Sequence, residues 1–235
     1  MAPRRCGWTI SSPFPPICSF RARAQMIEIK HKDTEEVLLR LDVDTIVAVN
    51  LKASQLAGAR LSGVNLTEAR LEFSDLRDAK LRQAILIGAD LRSCRLSGAD
   101  LDEADLSGAN LTDTDLIGAS LRKANMVNAV LRYAKLSGSE LIRANLDRAD
   151  LSMCDLRANL REAILTGADL RGANLSGAVL IGANLQQANL TGAKLNDAVL
   201  IGTKLDGAID PEGKPFRAFS SKRSSERSWW RFWGT

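Results

Sequence analysis

Ser97-Gly98-Ala99-Asp100-Leu101 is followed at once by Asp102-Glu103-Ala104-Asp105-Leu106 and by Ser107-Gly108-Ala109-Asn110-Leu111. The same five-residue unit extends far in both directions. A leucine returns at every fifth position from Leu51 to Leu156, with Met126 the one substitute. Two positions before each leucine stands a small residue, usually alanine, as at Ala59, Ala69, Ala79, Ala89 and Ala99. Asp or Asn often lies between them, as at Asp90, Asp100, Asp105 and Asn110. A period this strict is a statement about architecture.

Neither regular element keeps these leucines together. A helix turns about 100° per residue, so leucines five apart would visit every face. A strand alternates with period two, and five is odd, so successive leucines would flip sides. The chain must therefore turn once per unit. Within a unit the alanine and leucine are two apart and point inward, and the Asp or Asn between them points outward. The remaining two residues make the corner. Glycine is frequent there (Gly58, Gly63, Gly88, Gly98, Gly108, Gly118, Gly138), as a turn that strains other residues requires. If each corner bends the chain by about a right angle, four units close a square coil of about twenty residues. Coils then stack at about 4.8 Å.

These A-(D/N)-L-x-x units resemble the pentapeptide-repeat family over roughly two-thirds of the chain. The resemblance implies an all-β right-handed quadrilateral β-helix, a solenoid of about eight coils and about 38 Å length. It says little about function, because one fold hosts many roles. It also implies that dimerisation through the C-terminal coils is common.

Composition narrows the functional classes. The chain has 235 residues and a formal net charge of +4. The repeat region is close to neutral with both signs mixed, so it lacks the one-signed surface that steers nucleic acid. No apolar run approaches the roughly 18 residues that span a membrane. Cys94 and Cys154 occupy small inward positions and read as apolar fillers. Three coils separate them, about 14 Å by strand spacing, too far for a disulfide. A reducing compartment fits, and the cytoplasm is the expected setting.

Before the repeats, residues 1–25 hold Arg4, Arg5, Arg21 and Arg23 and no acid. Three readings stand: a start called upstream of a true start at Met26, a transit-like leader, or a disordered tail. Pro13, Pro15 and Pro16 interrupt the apolar stretch that a secretory signal needs. Residues 26–48 alternate in a strand-like way and predict a β-hairpin that caps the open leucine ladder, with Ile46 at the first ladder position. His31, the sole histidine, falls in this hairpin and reads as a surface or packing residue. The repeats are expected over 49–207. At Leu156-Arg157-Ala158-Asn159-Leu160 the step is four residues, which predicts either a tight corner or a local bend. Residues 208–235 form an exit segment and a basic, aromatic tail ending Trp229-Trp230-Arg231-Phe232-Trp233. That tail is open to three readings: disorder, partner contact and membrane contact.

Outward columns follow from the twenty-residue coil. Asp75, Arg95, Asp115, Lys135 and Asp155 alternate in sign, as do Arg82, Asp102 and Arg122, which predicts pairing between adjacent coils. Ala178-Val179-Leu180-Ile181 and Ala198-Val199-Leu200-Ile201 put Val179, Ile181, Val199 and Ile201 outward on one face, with Ile142 two coils back. Ile85 with Ile87 and Ile164 are weaker hints of the same kind. Clustered outward aliphatics mark a contact surface. Three occupants are open: the segment with Ile209, Phe216 and Phe219 folding back, a second copy, or a foreign protein.

The expected function is a non-catalytic scaffold or protein-interaction module without cofactor, catalytic residue or metal. No nucleophile stands beside a base, and the aspartates recur because the repeat recurs. Two alternatives are carried. Some proteins this chain resembles imitate a DNA duplex, bind DNA gyrase and confer quinolone resistance. The acidic residues Asp100, Asp102, Glu103, Asp105, Asp113 and Asp115 speak for that, and Arg60, Lys80, Arg95, Arg122, Lys135, Arg143 and Lys194 against it. The other is membrane or nucleic-acid contact through the C-terminal tail.

Overall fold

The computed structural model describes residues 26–43 and 45–216, which form strands, bridges and turns with no helix. From Asn50 onward each unit contributes one bridge residue that pairs in parallel with the residue twenty positions later. Asn50 pairs with Arg70, Gln55 with Asp75, Arg60 with Lys80 and Asn65 with Ile85, and the series runs to Asn189 with Ile209. Four such columns, five residues apart in sequence, give the coil four faces. We name them first to fourth after Asn50, Gln55, Arg60 and Asn65.

The hydrogen bonds explain why the unit has five residues. The leucine N–H donates to the bridge residue of the next coil, as Leu56 does to the Asp75 carbonyl at 2.7 Å. The second corner N–H also donates to the next coil, as Gly58 does to Arg77. The bridge N–H donates to the preceding coil, as Asp75 does to Ser54. The small residue's N–H closes the turn onto the leucine before the corner, as Ala59 does to Leu56. Only the first corner N–H is left, and in many units the Asp or Asn takes it. Lys52 N–H donates to Asn50 Oδ1, Arg77 to Asp75, Ser107 to Asp105 and Thr191 to Asn189, at 3.0–3.2 Å. The recurrent outward polar residue is thus a corner cap. The second corner residue has positive φ throughout, whether glycine (Gly98, 70°) or not (Asp78, 56°; Glu103, 59°).

The interior is filled. The ladder side chains from Leu51 to Leu190 are at 0–1% exposure, and each buried leucine contributes about 2 kcal/mol. One interior column differs: Ser74, Cys94 and Thr114 donate from their side chains to the carbonyls of Leu51, Leu71 and Leu91 in the preceding coil. Cys94 and Cys154 are buried free thiols. Burial pushes the Cys94 thiol up to about 12 and raises Cys154 as well.

At Leu156–Leu160 the corner is tight. Ala158 N–H donates to the Leu156 carbonyl at 2.8 Å, a three-residue turn in place of the four-residue turn used elsewhere. The bridge step drops to nineteen residues, Glu140 with Asn159 through Asp155 with Asn174, and returns to twenty at Asn159 with Val179. No rung is lost.

The N-terminal end is closed by β1 (Met26–Lys30) and β2 (Val37–Asp42), an antiparallel pair. Ile29 enters the core, and Leu38, Leu39, Leu41 and Ile46 pack against it. Beyond β1 the chain pairs antiparallel with the first coil on the third face: Lys32 N–H donates to Gly58 and Arg60 N–H to Lys30, each at 2.8 Å. His31 Nδ1 accepts the N–H groups of Asp33 and Thr34. Its ring lies on Gly58, where a Cβ would come within 2.3 Å of Nε2. The histidine is a packing residue, and Gly58 is the space it needs.

Candidate interaction surface

The C-terminal coils contain two copies of the unit Ala-Val-Leu-Ile-Gly, at 178–182 and 198–202. Alanine and leucine stay inward. Val179 and Val199 bridge each other on the third face, and Ile181 and Ile201 take adjacent first-corner positions, linked by Gly182 N–H donating to Ile201. Val179, Ile181 and Val199 are half-buried, and Ile201 is 69% exposed. Gly182 and Gly202 follow with φ of 68° and 70°, leaving a bare backbone strip beside the two isoleucines. Valine at the bridge position cannot cap the corner, so the Ile181 and Ile201 N–H groups have no side-chain acceptor among the described residues. A hydrogen bond of about 1 kcal/mol is given up at each corner to present apolar side chains. Ile85, Val130 and Ile164 also leave their corners uncapped, so what sets this surface apart is the repetition of valine and isoleucine in adjacent coils.

The other sequence-predicted residues fall differently. Ile142 is half-buried in the same corner column, but Arg161 stands between it and Ile181, because Arg143 N–H donates to Arg161 and Glu162 N–H to Ile181. Ile209 bridges Asn189 on the first face, opposite the valines, and Phe216 packs on the end of the core with its N–H on Ala208. Neither folds back over the patch. Phe219, residues 1–25 and the tail residues Trp229, Trp230, Arg231, Phe232 and Trp233 lie outside the described residues.

The charged columns alternate as expected, but their pairing needs correction. In the second-face column only Arg95 and Asp75 close an ion pair, at 3.4 Å. The stronger partner of Asp75 is Arg77, two residues on, whose Nε and Nη2 grip both carboxylate oxygens. Asp90 with Arg92, Asp155 with Arg157 and Asp169 with Arg171 repeat this Asp-Leu-Arg clasp. In each, the arginine hydrogen bond holds the carboxyl below its ordinary range. Arg82 pairs with Glu103 and not with Asp102. The long arginine arm reaches round its own corner more readily than a side chain one coil away aligns with it.

The acidic cluster also dissolves. Asp100 lies on the third face, Asp102 and Glu103 on the next corner, Asp105 on the fourth face, Asp113 on the corner between the first and second faces, and Asp115 on the second face. Five-residue corners wrap a sequence cluster around the rod. Lys80 stands 3.5 Å from Asp100, Arg82 and Gln83 hold Glu103, and Asp102 accepts from Ser120 and from the Arg122 N–H.

One surface escapes five-residue reading. On the corner between the first and second faces, Phe73, Tyr133 and Met153 occupy the positive-φ position, at 63°, 59° and 60°, and all are exposed. Lys52 covers the Phe73 ring and Arg132 the Tyr133 ring. Glu72 beside them is buried and pairs with Arg70 and Arg92, with Oε2 unpartnered among the described residues. Spacing by multiples of twenty is the signal that would have found this edge.

Parallel coils of five-residue sides, filled with leucine and capped by Asp or Asn, define a β-helical solenoid of repeats. The pentapeptide repeats family matches residues 47–83, 84–122, 124–158, 157–192 and 173–209 in eight copies, and the chain belongs to that family. Among solved structures it is similar to HetL, a pentapeptide repeat protein involved in heterocyst differentiation regulation in the cyanobacterium Nostoc sp. strain PCC 7120. Identity is 32% over 73% of this chain and 93% of that one, with a TM-score of 0.43. It is similar in fold to QnrB1, a plasmid-mediated fluoroquinolone resistance protein, at 23% identity over 69% and 89%, TM-score 0.54. A pentapeptide repeat protein of the Arabidopsis thaliana thylakoid lumen matches at 33% identity over 40% and 69%, TM-score 0.25. Comparison with curated protein sequences gave no match.

Proposed function

We propose that this protein is a non-catalytic scaffold, a right-handed rod of about eight coils, that works by contact through the Val179, Ile181, Val199 and Ile201 patch. The observation that carries this reading is the repeated Ala-Val-Leu-Ile-Gly unit, which replaces the corner-capping Asp or Asn by valine and leaves Ile201 69% exposed. Apart from this patch and the Phe73, Tyr133 and Met153 edge, much of the surface carries charges of both signs, many of them paired, and the interior is occupied by leucine and alanine.

The test is Val179→Asp with Ile201→Asp. Proteins captured from the native host, and solution mass by light scattering, are compared with those of the unsubstituted chain. Loss of a captured protein, or a halved mass if a second copy is the occupant, is expected. A capture profile and mass that are both unchanged would refute the patch as contact surface. Gyrase binding by DNA mimicry is the weaker reading, because the acidic residues encircle the rod, with Asp100 and Glu103 paired to Lys80 and Arg82, whereas mimicry needs a one-signed anionic surface. A supercoiling assay with and without quinolone decides it, and neither inhibition nor protection is expected.

A further inference from the structure

We propose that the chain's own C-terminal segment, residues 217–235, docks in cis on the open end of the rod, with Trp229, Trp230 and Trp233 covering Val199 and Ile201. This rests on reading the patch as a contact surface and names its resident occupant.

The described rod ends unfinished. Throughout the solenoid, leucine and second-corner N–H groups donate to the next coil, as Leu180 does to Val199 and Leu185 to Lys204. Their counterparts in the last coil, Leu195, Leu200, Gly202 and Leu205, have no backbone acceptor among the described residues. Leu200 and Leu205 are only half-buried. An open strand edge over an open apolar core is the feature that terminal caps of solenoids exist to remove.

The chain has already begun to close this end. It reverses at Asp210–Lys214, Ile209 pairs antiparallel with Pro215, and Phe216 N–H donates to the Ala208 carbonyl at 2.8 Å. At Phe216 the chain is thus antiparallel to the last coil on the first face and heads in the direction of the fourth face, beyond which lies the corner that carries Ile201. The N-terminal end uses the same device, with residues 30–32 pairing antiparallel with residues 58–60 of the first coil. Thirteen residue steps lead from Phe216 to Trp229, an extended reach of about 43 Å. Several coil spacings fit within that.

Chemistry agrees on both sides. The segment carries Arg217, Lys222, Arg223, Arg227 and Arg231 against Glu226 alone. At this end Asp197, Asp206, Asp210 and Glu212 stand against Lys194, Lys204 and Lys214, none of them in an ion pair with a described residue, which leaves one acid in excess. Four apolar side chains beside a glycine backbone strip offer flat contact for indole rings. A partner that uses the patch must first displace this segment.

The full chain carrying Trp8→Phe keeps tryptophan only at 229, 230 and 233, so its emission reports the tail. Blue-shifted emission, shielded from acrylamide at all concentrations and with a monomeric mass, is expected. Val199→Asp with Ile201→Asp should return emission and quenching to those of free tryptophan while circular dichroism stays unchanged. In a second arm, Trp229→Ser, Trp230→Ser and Trp233→Ser together leave the rod untouched and should speed amide exchange at Leu200 and Leu205 by about tenfold. Solvent-exposed emission in the parent, unchanged exchange in the triple variant, or shielding that appears only as the mass doubles overturns the proposal. If the emission is solvent-exposed and Val179→Asp with Ile201→Asp still removes a captured protein, the tail assignment falls and the contact surface stands. If that substitution also changes nothing, both fall.

Discussion

Gly58 and Gly108 occupy equivalent second-corner positions with nearly equal φ, 66° and 64°, but their surroundings differ. A Cβ at Gly108 meets nothing within 4 Å, whereas one at Gly58 drives into the His31 ring. Gly108→Ala should therefore cost about 1 kcal/mol, the ordinary left-handed penalty. Gly58→Ala should cost about 2–4 kcal/mol, because the displaced ring also abandons two backbone N–H groups. Denaturant unfolding of the two variants checks the difference. Asp75 supports a second prediction. Its carboxyl is held below the ordinary value first by the Arg77 hydrogen bond, against burial. A carboxyl depressed in the folded state contributes stability that is present above its unfolded pKa of about 3.9 and lost as pH falls through the lower folded value. Asp75→Asn keeps the Oδ1 acceptor and removes the charge. It should cost about 1 kcal/mol at neutral pH and flatten the fall in stability below about pH 4, as urea midpoints across pH would record.

The corner is the element on which register depends. At Leu156–Ala158 the chain makes the turn with one residue fewer, and the bridges on either side keep their partners. Inserting one glycine after Arg157 rebuilds an ordinary five-residue unit without changing which side chains face inward. Its expected cost is within about 0.5 kcal/mol. The same insertion between Ala99 and Asp100 puts an extra residue into the extended segment and breaks the alternation that sends alanine and leucine inward and aspartate outward. It should destabilise by about 3 kcal/mol or more. Urea midpoints of the two insertions separate corner from strand. The same element explains the Asp and Asn recurrence. Two N–H groups go to the next coil, one to the preceding coil and one to the turn, and the fifth is taken by a side-chain oxygen wherever an Asp or Asn can reach it.

At the scale of the whole rod, stability sits in the ladder of leucines and declines toward the C-terminal end. Leu111 is fully buried, whereas Leu205 is half-exposed in the last coil. Leu111→Ala should cost about 3 kcal/mol, transfer plus cavity, and Leu205→Ala about 1 kcal/mol. Native-state amide exchange should show the coil of Leu200 and Leu205 opening before that of Leu111. The paired charges change this order little, since an exposed ion pair is worth about 0–1 kcal/mol.

A five-residue period admits neither helix nor flat strand, so the sequence alone determined that leucine and alanine point inward, that the chain turns every five residues, and that Val179 and Val199 share a face. Those conclusions needed only local periodicity and a coil of twenty. What depends on side chains meeting across coils or round corners was decided by the tertiary structure. Arg77 rather than Arg95 became the chief partner of Asp75, because an arginine two residues on can grip both oxygens. Asp100 to Asp115 became a ring, because corners carry sequence neighbours to different faces. Arg161 came to separate Ile142 from Ile181, and Phe73, Tyr133 and Met153 came to share an edge that no five-residue reading shows.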